Sequence, residues 1–354
     1  MTRWPAAAEH FLAMTGAQAP IVQAPMAGSG GVAMAIAAMR AGAVGSLPAA
    51  MLSPDQLHAQ IGEVRVAATG PLNVNFFCHT LPDPPDDTAW RALLAPFYAS
   101  EGVEPGPPAP LRRPFDDALC AVIEEQRPQI VSFHFGLPEK ALLDRVRAAG
   151  ALVFVSATTS EEAHWLAGQG CDAIILQGAE AGGHSGWFLG ARHKPTPLGA
   201  LLADRPDVPV IAAGGIVDGD DVAQALRAGA SAVQIGTAYL ATPESFAIPA
   251  FRALLGTAAA SDAAFTNLFT GREARGIRNR LIRDLGPLRV EAPPFPYASD
   301  ALAPLRAAAE ADGRTDYTSL WVGTGAARVR PQNAEQFTRN LAQDARTLLE
   351  ASHG

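Results

Sequence analysis

Eight short apolar runs, each followed by a helical pattern or a long connection, recur along this chain. That alternation restricts the fold more than any other feature. The runs lie at 20–25, 43–47, 72–77, 130–135, 152–156, 172–177, 208–213 and 232–235, and they are rich in branched and aromatic side chains. Eight strands separated in this way are what a (β/α)8 barrel requires. An open doubly wound sheet is the alternative, but no GxGxxG follows the first run, where a dinucleotide fold would place it. The expected class is therefore α/β: a (β/α)8 TIM barrel with a small inserted helical, lid-like subdomain after strand 8. A length of 354 residues suits a barrel with insertions.

Helices are expected at 31–40, 116–125, 138–149, 198–203, 219–228 and 334–349. Ser53, Pro54 and Gln56 spell a capping box with proline in the first turn. Thr159 and Glu162 repeat the capping-box pattern before 164–167. Gly150 is a natural helix stop. Two stretches break the rhythm. One is the Pro-rich segment 79–114. The other, 241–330, holds basic helical material at 272–283 and a Pro-rich turn at 292–296. The expected division is a barrel from 1–240 and 331–354, with 241–330 as the inserted lid or substrate subdomain.

Composition narrows the function. With 48% hydrophobic and 18% charged residues the chain can build a large core. A net charge of −8 and the lack of any Lys/Arg run argue against nucleic acid as a partner. Residues 1–19 lack the basic and apolar regions of a signal peptide, and no apolar run is long enough to span a membrane. Cys78, Cys120 and Cys171 are odd in number and far apart, which fits a reduced cytoplasmic compartment. No HExxH, CxxC, GxSxG or P-loop is present, so no metal site is expected. Lys140 and Lys194 lie in a helix start and a loop, away from the strand ends where a Schiff base would form. Oligomeric state is open, a homo-oligomer included.

In this fold the chemistry sits at the C-terminal strand ends. The seventh run ends Ala213-Gly214-Gly215 and the eighth ends Ile235-Gly236-Thr237. Glycines there let backbone N–H groups approach a phosphate. The alternative is that both are merely tight turns. After the sixth run comes Gln177-Gly178-Ala179-Glu180-Ala181-Gly182-Gly183-His184. Gln177 could bond a heterocycle edge. His184 would arch over the barrel mouth as donor, electrostatic stabiliser or base; the plain alternative is a surface-loop histidine. His134 ends the fourth run, where a pocket role competes with that of a bonded core histidine. Asn73 and Asn75 share one strand face and need partners if buried.

Together these segments resemble the nitronate monooxygenases, formerly called 2-nitropropane dioxygenases. The matches are VQAPMAG at 22–28, NVNFF at 73–77, SFHFG at 132–136, QGAEAGGHSG at 177–186, AAGGI at 212–216 and QIGTAYL at 234–240. The segment 270–276 also looks like the family's region after the barrel. The resemblance runs from about residue 20 to 330 and is weakest over 79–114. It implies a flavoprotein with non-covalent FMN, catalytic His184, and His134 as second pocket histidine. Cofactor positions by resemblance are Ala24, Met26, Asn73, Gln177, Gly182, Gly183, Gly214, Gly215, Gly236 and Thr237, the last four at the phosphate. Tyr297 and Tyr317 are counterparts of tyrosines that cover the pocket in some members. The implied reaction oxidises an alkyl nitronate or nitroalkane, such as propionate 3-nitronate, with O2 to a carbonyl product and nitrite. The AGGH and AAGGI motifs are equally similar to the FMN-dependent enoyl-acyl-carrier-protein reductases. An NAD(P)H-dependent enoyl or quinone reductase is thus a second reading, and a non-redox phosphate-binding barrel a third.

Overall fold

The structure, a computed structural model, describes residues 4–106, 111–190 and 193–351. Its strands are β1 (Ile21–Gln23), β2 (Gly45–Pro48), β3 (Leu72–Phe77), β4 (Ile130–His134), β5 (Leu152–Ala157), β6 (Ala173–Gln177), β7 (Gly183–His184), β8 (Val210–Ala213), β9 (Ala232–Ile235), β10 (Ala263–Thr266) and β11 (Ala274–Ile277). Eight of them form one parallel sheet in the order β1-β9-β8-β6-β5-β4-β3-β2. A parallel bridge between Val22 and Val44 joins its two edges. The result is the expected (β/α)8 barrel, with all eight expected strands in place.

Local sequence explains most boundaries. Ser53 Oγ accepts from the Gln56 amide at 3.2 Å and Gln56 Oε1 from the Ser53 amide at 2.9 Å, completing the capping box of helix Pro54–Ala67. The second expected box is only half formed. Thr159 Oγ1 accepts from the Glu162 amide at 3.2 Å, but the Glu162 carboxylate turns elsewhere, as described below.

Strand alternation sorts side chains between two cores. Leu72, Val74 and Phe76 of β3 face the surrounding helices. Ile130, Phe154, Ala173, Ile175 and Ile211 fill the barrel interior. The interior core is completed by Phe11, fully buried on the helix Ala6–Thr15, whose ring lies 6.2 Å from Phe154. The N-terminal segment, mixed in composition, is thus a plug for the floor of the barrel.

Higher in the barrel the interior turns polar. Asn73 donates to Ser46 Oγ at 3.0 Å, and Asn75 to Ser132 Oγ at 2.9 Å. The parallel register sets these residues side by side.

The region after β9 departs from expectation. It is not purely helical: β10 and β11 pair antiparallel, and β11 pairs with β7 of the glycine-rich loop. The basic stretch 272–283 divides into strand β11 and a short helix, Arg280–Leu285. Gly276 shows why, since a Cβ there would lie 2.7 Å from the Leu320 carbonyl and 2.9 Å from the Trp321 ring. Tertiary pairing overrides helical propensity at this point.

The Pro-rich insertion contains the helix Thr88–Glu101. Its Trp90, Leu94, Phe97 and Tyr98 pack with Leu268, Leu281, Leu305 and Tyr317 in a satellite core. Glu101 ties the two segments: Arg314 donates to it at 2.6 Å, Arg280 at 3.1 Å and Tyr317 at 2.8 Å. The Arg314 hydrogen bond holds the carboxyl below its ordinary range. No described helix is long and apolar enough to cross a membrane.

Candidate active site

A cleft of about 190 Å³ opens at the C-terminal ends of the strands. Of the residues expected there, His184, His134, Ala24, Met26, Gln177, Gly182, Gly183, Gly214, Gly215, Gly236 and Thr237 all line it. Asn73 does not. It is buried next to Ser46, and Asn75, two residues along the same face, reaches the cleft instead.

One end of the cleft is built from backbone. Gly214 and Gly215 have φ of +125° and +75°, which L side chains rarely adopt. Neither the Gly215 nor the Ile216 amide has a backbone acceptor among the described residues, so both can serve an anion. Opposite runs a glycine loop, Gly323-Thr324-Gly325, that sequence reading missed. The Gly323 amide donates to Thr237 Oγ1 at 2.9 Å and the Thr324 amide to the Glu180 carbonyl at 2.9 Å. A Cβ on Gly182 would sit 2.4 Å from the Val322 carbonyl carbon and 2.5 Å from the Gly323 nitrogen. The two backbones therefore touch, and only glycine fits. The signal was present as VGTG at 322–325, but nothing in the chain order linked it to the barrel mouth.

The His184 loop is stitched down from several sides. Gln177 Nε2 donates to the His184 carbonyl at 2.8 Å, and the Gly186 amide donates to Gln177 Oε1 at 2.8 Å. Gln177 thus holds the loop. His134 does the same. Its Nε2 lies 3.2 Å from the His184 carbonyl, which can only accept, so Nε2 carries the proton. Its Nδ1 then accepts from Ser156 Oγ at 3.0 Å. With both nitrogens engaged by protein, His134 positions the loop in this structure. Burial lowers its pKa to about 4.

Beyond the loop, the fully buried Glu162 accepts four hydrogen bonds. They come from the Phe188 and Leu189 amides at 2.6 and 3.0 Å, and from the Thr158 amide and hydroxyl at 2.7 and 2.8 Å. That is why the capping box stays incomplete: the carboxylate anchors the end of the glycine-rich segment.

The His184 ring has one hydrogen-bond partner among the described residues. Its Nε2 is 2.8 Å from Thr270 Oγ1, whose hydroxyl lies 3.3 Å from the Arg272 carbonyl. Thr270 donates to that carbonyl and so accepts from His184, which places the proton on Nε2. Nδ1 then carries the lone pair. Burial first, and then the charges of Arg112 and Arg272 with the neighbouring histidines, hold the His184 pKa well below its ordinary value. The resting ring is neutral. Phe77, Phe295 and Trp321 surround it at centroid distances of 6.3, 5.4 and 5.5 Å. Phe135, at φ +71°, joins this wall, with the Arg272 guanidinium 4.1 Å over its ring.

The two tyrosines expected over the pocket do not line it. Tyr297 donates to the Pro82 carbonyl at 2.7 Å, and Tyr317 to Glu101 in the satellite core. Burial and pairing, decided by distant segments, removed them from the cleft. Among the described residues the lining contains no Asp or Glu, and Arg112 is its only Arg or Lys.

A cleft that joins a backbone anion cradle to polar and apolar side chains suits a phosphorylated heterocyclic cofactor such as FMN. Gln234 Oε1 supports the fit: it is buried in the lining without a hydrogen-bond partner, and a donor on a bound cofactor would relieve that cost. No cluster of three or more His, Cys, Asp or Glu able to hold a metal exists among the described residues.

Known proteins resemble this chain over almost its whole length. The family model for nitronate monooxygenase matches residues 9–344. A nitronate monooxygenase of Pseudomonas aeruginosa is 40% identical over 350 residues, covering 96% of this chain and 99% of the relative. One from Paraburkholderia phytofirmans is 38% identical, covering 96% of each. Among solved structures, nitroalkane oxidase from Streptomyces ansochromogenes superposes with a TM-score of 0.89 at 35% identity, over 97% of this chain and 99% of that one.

Proposed function

We propose that this chain, which belongs to the nitronate monooxygenase family, binds FMN in the cleft and oxidises alkyl nitronates, propionate 3-nitronate among them, with O2 to a carbonyl product and nitrite. Members of the family are flavin-dependent oxidoreductases. When bound, FMN supplies the redox chemistry, taking electrons from the substrate and passing them to oxygen. The Gly214–Gly215 turn, with Gly236 and the 323–325 loop, would hold the phosphate. Gln234, Asn75 and the 24–27 segment would meet the remainder.

The chain's own work is orientation and proton handling. The neutral His184 ring, fixed through Nε2 by Thr270, offers the Nδ1 lone pair to the acidic C–H of a nitroalkane. A nitronate brings its own negative charge into this dry site, which favours the protonated ring. The same nitrogen then donates to the nitro oxygens. The aromatic wall of Phe77, Phe295 and Trp321 around His184 keeps water from the ring and gives the alkyl chain an apolar surface to pack on. We read the stretch 241–330 as the subdomain that covers the substrate, because it supplies Ser319, Trp321 and Gly323 to the lining.

The observation that carries this reading is the buried, neutral His184 in the same cleft as a glycine-built anion cradle. Its test is an anaerobic absorbance titration of the purified flavoprotein with propionate 3-nitronate and, separately, with NADH. Bleaching of the visible flavin band by the nitronate alone is expected. Bleaching by NADH with the nitronate inert would move the protein to the reductases.

A further inference from the structure

Arg112 is unusual among the buried cations of this molecule. It follows the helix Thr88–Glu101 in the Pro-rich insertion and reaches the cleft, where it is the only Arg or Lys of the described lining. Its main chain is fixed, because His79 Nε2 donates to the Arg112 carbonyl at 3.1 Å. Its guanidinium has no hydrogen bond and no carboxylate within 4 Å among the described residues. Arg272, the other half-buried arginine nearby, is by contrast spent: it donates to the Trp187 carbonyl and is sandwiched between the Phe135 and Trp187 rings. Around Arg112, Arg306 opposes its charge and Asp300 favours it, both from beyond ion-pair range, and burial works against it. A guanidinium kept in a mostly dry cleft without a counter-ion is costly. The cost is recovered when an anionic ligand supplies the missing acceptors, and a carboxylate matches the planar fork with two parallel hydrogen bonds.

Two anions are relevant to the cleft. The phosphate of a bound cofactor is served by the glycine cradle, beside which Arg328 donates to the Gly215 carbonyl and is paired with Asp218 and Asp221. The nitronate group is served by His184, and His79, which holds the Arg112 carbonyl, packs on Phe295 at 4.8 Å, the same ring that lies 5.4 Å from His184. Arg112 therefore stands on the substrate side of the site. We infer that Arg112 is a specificity residue that binds a carboxylate at the far end of the substrate chain, so that short ω-carboxylated nitronates are preferred over nitronates with an uncharged chain. This rests on the nitronate reading above.

Matched ligands test it. Propionate 3-nitronate and propyl nitronate share a nitronate end and differ in the terminal carboxylate. Succinate and butyrate are their inert analogues, with a carboxylate replacing the nitronate. In the holoenzyme, kcat/KM for propionate 3-nitronate should exceed that for propyl nitronate roughly ten- to hundredfold, the range for hydrogen bonds to a charged group. Arg112→Met should shrink this gap severalfold or more by lowering the first value far more than the second, which shifts only through the lost charge near His184, and Arg112→Lys should restore part of it. By calorimetry, wild-type holoenzyme should bind succinate more tightly than butyrate. No preference in that comparison, which needs no variant, overturns the inference. Equal losses on both nitronates in Arg112→Met overturn it too, since they would place Arg112 on the nitronate end or in the loop's packing. If wild type oxidises neither nitronate yet keeps an Arg112-dependent preference for succinate, the nitronate reading fails and the carboxylate site stands.

Discussion

His184 and Glu162 show how differently two buried ionisable residues can serve one loop. His184 keeps a lone pair for chemistry, whereas Glu162 uses both oxygens to hold backbone. Replacing His184 by Ala should leave flavin content unchanged and lower kcat by about 10²–10⁴, the usual reach of a positioned acid–base group. Unchanged turnover with full flavin would remove it from the mechanism. Glu162→Gln leaves donors facing an amide that cannot accept them all, and a loss of about 2–4 kcal/mol is expected, read as a lower denaturation midpoint. His184 was visible in the sequence because its glycine setting is unusual. Glu162 looked like half of a capping box, since the amides it serves lie 26 and 27 residues away.

Contact between loops decides the cleft at the scale of elements. Gly182 and Gly323 meet backbone to backbone, and a Cβ on Gly323 would lie 2.5 Å from the Glu180 carbonyl. Neither strand of chain can yield without opening the cradle. Gly182→Ala should therefore reduce retained flavin, measured as the ratio of visible to ultraviolet absorbance after gel filtration. Gly62→Ala is the control: it lies in the helix Pro54–Ala67 with open space around it, and a gain of up to about 1 kcal/mol is expected there. At the opposite end of the barrel, Phe11→Ala should cost about 3–5 kcal/mol through the cavity it leaves, with flavin content preserved. Loss of flavin in that variant would show the floor and the mouth to be coupled.

Three buried histidines give the whole molecule a pH signature. Burial lowers His79 and His134 to about 4 and holds His184 well below its ordinary value. Between about pH 4 and the ordinary histidine value of 6.5 the unfolded chain binds protons that the folded chain refuses. Stability therefore rises with pH across that window and is lost as pH falls below about 6.5. Melting temperature measured from pH 7.5 down to 4.5 should fall, and His134→Gln should flatten part of the slope. An unchanged slope would mean that His134 titrates normally in the fold. Above pH 7 these groups are neutral in both states and contribute no slope.

The eight strands, their order as a barrel, the glycine turns that end the last two barrel strands, and the histidine loop are all legible in the residues alone. Each of these is written within ten residues or fewer, as apolar runs or glycine clusters whose meaning is local. Family membership was equally legible, because the motifs carrying it are contiguous. Only the tertiary structure decided the rest. Asn75 rather than Asn73 reaches the cleft, because depth along a strand is fixed by barrel closure. Gln177 and His134 clasp the loop as well as lining the cleft, because the loop folds back onto them. Residues 274–277 became a strand because β7 offered an edge to pair. Arg112, Trp321 and the 322–325 glycines joined the site from far along the chain. No local pattern announces such neighbours: burial, pairing and ion balance depend on which distant segments the closed barrel brings together.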